Sequence, residues 1–225
     1  MLEIAKDVYH IPLMPRNSIN AYLIEGFLVD AGIRSSYKKL GRSLQNMNVH
    51  THVLTHAHAD HQGSSKKICE LFDLPFWCSL EEKAQAESGM ATKEYPKQNH
   101  IVTKFQQKYW AGEGRKVDKT IREGDTLGNF KVIETPGHSS GHLSFFRERD
   151  GVLILGDTAL NMNLLTTNKG LHEPPILFTK DKELNRLSLK KLAKLKPEIL
   201  CFGHGPVLQN KNGEFEQFVH DIISL

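Results

Sequence analysis

Polar and apolar residues alternate over positions 2–12, the period-two pattern of half-buried strand. Two β-rich runs follow, Ala21-Tyr22-Leu23-Ile24 and Phe27-Leu28-Val29, and a turn at Glu25-Gly26 makes them a hairpin-like opening. Ser35 or Ser36 offers a cap for a helix to about Met47. A strand is expected over 51–55, then a helix from about Asp60 to Phe72 with Ile68 and Leu71 on its buried side. Phe76-Trp77-Cys78 reads as a short strand, and another helix begins near Ser79. Residues 88–120 break this rhythm. They are polar, carry glycines and a proline, and hold Tyr95, Phe105, Tyr109 and Trp110. An excursion of that length is a lid, a binding loop or a plain surface feature. Strand patterning resumes at 130–135, 143–146 and 151–155, while residues 160–180 look irregular. Asp181 caps an amphipathic helix to about Leu195, followed by a buried strand at 198–202 and a helix over about 213–224.

Five of these β runs end in a metal-ligating group or a partner for one. Phe27-Leu28-Val29 leads to Asp30, and Val53-Leu54-Thr55 leads to His56. Lys131-Val132-Ile133-Glu134 leads through Thr135-Pro136-Gly137 to His138. Val152-Leu153-Ile154-Leu155-Gly156 leads to Asp157, and Ile199-Leu200-Cys201-Phe202-Gly203 to His204. Strand ends on one sheet edge converge in space, and loops held by a rigid sheet are where sites are built. Glycines beside His138, Asp157 and His204 allow the sharp turns this requires.

The densest stretch is Thr55-His56-Ala57-His58-Ala59-Asp60-His61. Imidazole nitrogen and carboxylate oxygen are the groups that zinc, iron and manganese take from proteins. His56 and His58 fall on a tight turn after a strand, while Asp60 and His61 open a helix. That placement can hold one metal with the first pair and a second with the other.

Size and composition narrow the partners. A chain of 225 residues with 39% hydrophobic and 24% charged content fits one soluble globular domain, residues 1–225, with 88–120 as its excursion. The net charge of +3 is spread along the chain, which gives no case for nucleic acid or an anionic membrane. The basic segment Lys190–Lys196 carries leucines at helical spacing (Leu184, Leu187, Leu192, Leu195) and reads as a solvated helix face. The first residues lack a signal-peptide pattern, and no stretch is long and apolar enough to span a bilayer. Three cysteines without a CxxC pair point to a reducing, cytoplasmic setting, with Cys69 and Cys201 as inert core thiols. His142, four residues after His138, is a candidate for supporting the site, and His172 for touching substrate. His10, His50, His52, His100 and His220 read as ordinary surface or strand residues.

With Asp30, His56-His58-Asp60-His61, His138, Asp157 and His204 in this order, the sequence resembles a metallo-β-lactamase-fold hydrolase over nearly its whole length. Thr135-Pro136-Gly137-His138-Ser139-Ser140-Gly141-His142 and Gly156-Asp157-Thr158 are similar to the hydroxyacylglutathione hydrolase (glyoxalase II) branch. The resemblance implies an α/β fold, a four-layer αββα sandwich of two mixed β-sheets with a metal site at one edge. It implies one metal held by His56, His58 and His138, another by Asp60, His61 and His204, with Asp157 bridging. Asp30 would orient a ligand or the following helix without touching metal. Two divalent ions are implied; zinc suits the thiolate-free donor set best, with iron and manganese open. The implied chemistry is hydrolysis of a small ester, thioester or lactone by a metal-bridging hydroxide, with Asp60 orienting the nucleophile and moving a proton late.

Departures from known branches bear on the substrate. About twenty residues follow His204, where glutathione thioesterases of this fold usually carry a larger helical region. Leu160 stands where homoserine-lactone hydrolases often place a tyrosine. No nucleic-acid-binding module, flavodoxin-like part or export signal is recognisable. A small-molecule substrate is expected. The competing expectations are a mononuclear iron persulfide dioxygenase and a non-catalytic ligand-binding member of the fold.

Overall fold

The computed structural model describes residues 1–224. The alternating amino-terminal segment forms β1 (Leu2–Ala5) and β2 (Val8–Pro12), and the hairpin forms β3 (Asn20–Ile24) and β4 (Phe27–Val29). There follow α1 (Tyr37–Leu44), β5 (Thr51–Val53), α2 (Ala59–Gln62), α3 (Ser65–Phe72), β6 (Phe76–Cys78), α4 (Leu80–Ser88), α5 (Ile101–Tyr109) and β7 (Lys119–Thr120). These seven strands lie side by side in sequence order, antiparallel up to β4 and parallel from β4 to β7.

The second half supplies β8 (Thr126–Leu127), β9 (Phe130–Glu134), β10 (Leu143–Arg147) and β11 (Val152–Gly156). A two-stranded ribbon, β12 (Leu160–Met162) with β13 (Lys169–His172), precedes α6 (Lys182–Ala193). The chain continues through β14 (Ile199–Phe202), β15 (Leu208–Gln209) and α7 (Glu214–Ile223). The second sheet has the order β15-β14-β11-β10-β9-β8, with β11 and β14 parallel and every other pair antiparallel.

Period-two alternation assigns each strand's side chains to two different cores. On β11, Val152 and Ile154 join Tyr22, Ile24, Val29 and Val53 in the core between the sheets, with Phe130 and Phe145. Leu153 and Leu155 face the other way, onto Leu189 and Leu192 of α6 and Phe215 and Val219 of α7. The first sheet likewise turns Ile11, Leu23 and Leu28 outward onto Leu40 and Leu44 of α1 and Ile68 of α3. The result is the expected helix–sheet–sheet–helix sandwich. Among the described residues no helix is long and apolar enough to cross a membrane.

Several local expectations need correction. The helix predicted from Asp60 to Phe72 is broken after Gln62. The chain leaves the helix at Ser64 (φ −104°, ψ 3°), and Gly63 beside it lies so close to the Arg34 backbone nitrogen and the Trp110 carbonyl that a Cβ would come within 2.5 Å of each. Leu71 is 60% exposed, and Cys69 takes the buried place beside Ile68. Strand 51–55 stops at Val53 because Thr55 has turned to hydrogen-bond Asp30. Leu184 and Leu187 face outward on α6, where Leu189 and Leu192 are the buried pair. Residues 160–180 contain the β12–β13 ribbon, and 88–120 contain α5 and β7. That excursion packs on α2, with Ala91, Ala111 and Trp110 against Ala59, and the Arg34 N–H donating to the Trp110 carbonyl at 2.7 Å.

Candidate metal centre

All five expected strand ends meet at one edge of the sandwich. The two sheets are tied there by Tyr22, whose hydroxyl donates to the Phe202 carbonyl at 2.8 Å, and by Asn20, whose Nδ2 donates to the carbonyls of Phe202 and Gly205. His56, His58 and His138 form one buried triad, Asp60, His61 and His204 a second, and His56, His61 and Asp157 a third between them. Within each triad the ligand atoms lie within 4.8 Å of one another. Asp157 Oδ2 sits 3.0 Å from His204 Nε2, 3.4 Å from His61 Nε2 and 3.8 Å from His138 Nε2. Gly203 is what permits this approach: a Cβ there would overlap Asp157 Oδ1.

Hydrogen bonds on the far side of the rings fix which nitrogens face the cluster. Asp30, in the left-handed backbone region at φ 61°, accepts from the Thr55 N–H (2.8 Å), the Thr55 hydroxyl (2.8 Å) and His61 Nδ1 (2.9 Å). Because the Thr55 hydroxyl gives its proton to Asp30, the 3.0 Å contact from His56 Nδ1 must be a donation to Thr55. His204 Nδ1 donates to the Ser18 carbonyl. His56, His61 and His204 are therefore each held with Nε2 turned inward as a lone pair or titratable site, the usual way a protein orients ligating imidazoles. His58 Nδ1 and His138 Nε2 converge at 3.0 Å.

The donor set fits a metal. Nε2 of His56 and of His61, the ring nitrogens opposite the bonds to Thr55 and Asp30, are buried with no hydrogen-bond partner, and both residues belong to the triad that Asp157 completes. A buried polar atom without a partner is costly, and here two lie in one triad.

The profile of the metallo-beta-lactamase superfamily matches residues 14–204, from the β2–β3 connection through His204. This chain belongs to that superfamily.

Similar proteins include two from Bacillus subtilis (strain 168). One is named "Probable metallo-hydrolase YflN", 29% identical over 82% of this chain and 77% of its own length. The other, YobT, is 30% identical over 89% of both chains. A hydroxyacylglutathione hydrolase of Chelativorans sp. (strain BNC1) is 28% identical over 68% of this chain, which spans 47% of that protein. Among solved structures, TTHA1623 in a di-iron-bound form superposes with a TM-score of 0.68 at 27% identity, covering 89% of this chain and 94% of that one. A metallo-beta-lactamase family protein of Thermus thermophilus gives 0.70 at 24% identity over 99% and 81% of the two chains.

The triads differ electrostatically. Burial pushes His56 and His58 well below the ordinary imidazole pKa, and His138 down to about 4, so all three are neutral at pH 7. Burial acts the same way on His61 and His204, but Asp157 and its neighbouring carboxylates outweigh it. They raise His61 well above its usual value and His204 to about 10. Asp60 is pulled down to about 2, because its bond to His204 and the charge of His61 overcome burial. A cation entering beside Asp60 thus takes the place of protons that already balance two carboxylates, whereas His56, His58 and His138 are neutral imidazoles with no such proton to displace.

His142 is not a candidate ligand. Its Nδ1 meets the Thr135 hydroxyl at 2.9 Å and its Nε2 accepts the Asp157 N–H at 3.1 Å, so it sets the backbone that carries Asp157. His172 lies half-buried on β13, and none of the three triads includes it.

Sequence reading missed Glu82. Ser79-Leu80-Glu81-Glu82 has the form of a helix-capping box, which would return the glutamate to the helix's own start. Instead Glu82, fully buried, accepts the Ala57 N–H at 2.8 Å, between His56 and His58, and the Gly141 N–H at 2.9 Å in the His138 loop. Gln85 Nε2 donates to the Ala57 carbonyl at 3.0 Å. Helix α4 thereby clamps both loops of the first triad. Glu82→Ala is expected to destabilise the metal-free protein by about 3 kcal/mol, since two buried N–H groups lose a charged acceptor. Metal affinity should also fall about 10–100-fold. Thermal unfolding and titration against a chelator check both effects; unchanged values would remove the clamp.

Proposed function

We propose that this chain is a dinuclear metal-dependent hydrolase acting on a small ester, thioester or lactone. The observation that carries the reading is the placement of Asp157, whose Oδ2 lies within 3.8 Å of His61, His138 and His204 and so stands between two buried triads. His56, His58 and His138 would hold one ion, Asp60, His61 and His204 the other, with Asp157 between them. When bound, such ions polarise a carbonyl and bring water's pKa near neutrality.

The remaining work belongs to the chain. Asp60 stays a carboxylate at neutral pH, and it can orient the attacking water and take up its proton as the leaving group departs. Asp30 and Thr55 keep the imidazoles of His56 and His61 from rotating. None of the three cysteines serves as a nucleophile. All are buried and unpaired, and burial raises each thiol, Cys69 to about 12. Reduced core thiols suit a cytoplasmic setting.

Nitrogen and oxygen donors without thiolate suit zinc and also iron, the metal bound by the structural neighbour TTHA1623. Elemental analysis of protein purified without added metal, followed by an ester, thioester and lactone panel, tests the reading. About two ions per chain with turnover on the panel supports it. About one iron, with oxygen consumed on a persulfide and no hydrolysis, would replace it with the dioxygenase reading.

A further inference from the structure

The turn that carries His204 is held by two buried asparagines from distant parts of the chain. Asn20, on β3, places its side-chain amide between the Phe202 and Gly205 carbonyls, at 3.0 and 2.8 Å. A carbonyl only accepts, so both Nδ2 hydrogens are committed to these two bonds. The Asn20 Oδ1 is left to accept from His10 Nε2 at 2.8 Å. The Asn20 N–H donates to the Gly203 carbonyl at 2.9 Å. Asn161, on β12 and equally buried, donates its N–H to the His204 carbonyl at 2.9 Å and its Nδ2 to the Pro206 carbonyl at 2.8 Å. Five consecutive carbonyls, 202 through 206, thus accept from two side-chain amides and two N–H groups of these asparagines. Gly205, at φ 98°, lies so close to β12 that a Cβ would stand 2.4 Å from the Asn161 carbonyl carbon.

Asparagine is a poor strand residue, and a buried amide is retained where all its groups find partners. Here both amides are spent on one turn. The His204 ring is tied as well, through Nδ1 to the Ser18 carbonyl two residues before Asn20, and its Nε2 then stands 3.4 Å from Asp60 and 3.0 Å from Asp157. The supports of the first triad are different ones: Glu82 holds the Ala57 and Gly141 backbone, and Thr55 holds His56. Resting on the two-metal reading above, we propose that Asn20 and Asn161 are positioning residues for the second ion. By fixing the backbone on both sides of His204 they set the affinity of Asp60, His61 and His204 for metal, and they leave that of His56, His58 and His138 alone. A ligand already aimed at its partners loses little freedom when the ion arrives, whereas a free turn would have to be ordered at that moment.

Titration of metal-free protein with cobalt(II), each binding step read by visible absorption and calorimetry, tests the assignment. Asn20→Ala and Asn161→Ala should each weaken the second step about 10–100-fold and move the first by less than about threefold. Each variant keeps part of the framework: Tyr22 still bonds the Phe202 carbonyl in the first, and the residue 161 N–H still reaches the His204 carbonyl in the second. If one of them does not fold, the other decides. Asn210→Ala is the control for stability alone. Its Nδ2 donates to the Pro197 carbonyl at 2.9 Å and its Oδ1 accepts the Phe215 N–H at 2.9 Å, away from the His204 turn. That change should lower the unfolding midpoint and leave both steps as they are. Three results would overturn the assignment: a second step unchanged in the asparagine variants, both steps weakened alike, or a second step weakened as much by Asn210→Ala. A wild type that takes only one ion brings down the two-metal reading together with this inference. A wild type with two steps beside unaltered variants brings down the inference alone.

Discussion

Asp157→Ala is expected to lower metal content below about one ion per chain and to cut turnover by at least about 10³-fold, because the positioned charge supplied by a shared site is worth several kcal/mol. The carboxylate lies within 4 Å of His61, His138 and His204, so no neighbour can substitute for it. A second signature appears without metal. His204 has its pKa raised from 6.5 to about 10, with Asp157 outweighing burial. A raised histidine contributes stability that is fully present below its unfolded value and is lost as pH climbs through its folded one. Wild-type metal-free protein should therefore lose stability between about pH 6.5 and 10, and the variant should show a flatter profile. Denaturant unfolding at several pH values, with elemental analysis, tests this. A variant that keeps near-normal metal and rate refutes the bridging role.

Asp30→Ala should be the most destabilising change near the site that touches no proposed ligand atom. It strands the Thr55 N–H, the Thr55 hydroxyl and His61 Nδ1 in a buried setting, a loss of about 3–5 kcal/mol. For a chain of this size that is a fall in Tm of roughly 10 °C. Free rotation of His56 and His61 should weaken metal binding about 10–100-fold as well. Asp30→Asn separates the causes. Asparagine tolerates the left-handed φ of 61° and can still accept from Thr55, but its amide opposes one of the other donors. It should keep much of the stability and less of the affinity. Asp30→Ala within about 0.5 kcal/mol of wild type would show that the relay holds nothing.

The candidate site was legible to an unusual degree because its groups follow strands directly. Asp30, His56, His138, Asp157 and His204 each stand just past an apolar run whose strand character is local, and a common sheet edge brings such ends together. The α and β layers were legible through the family resemblance, since β3 and β11 are apolar on both faces and only packing shows which of their residues meet which core. Less was legible where a distant segment decides the local structure. Gly63 packs against the Trp110 carbonyl beside the helix break, and Glu82 turns from its capping box to Ala57 and Gly141.

The sequence by itself determined where the strands end, which candidate ligands follow them and, through the family resemblance those residues carry, the fold class. The strand ends follow from periodicity and spacing within a few residues of each element. Only the tertiary structure decided the rest: that His142 carries Asp157's backbone, that Glu82 ties two loops, that Asn20 and Asn161 hold the turn around His204. Each of these rests on a contact between segments well separated along the chain. Such contacts are selected by packing of the whole sandwich and leave no periodic trace in the residues that make them.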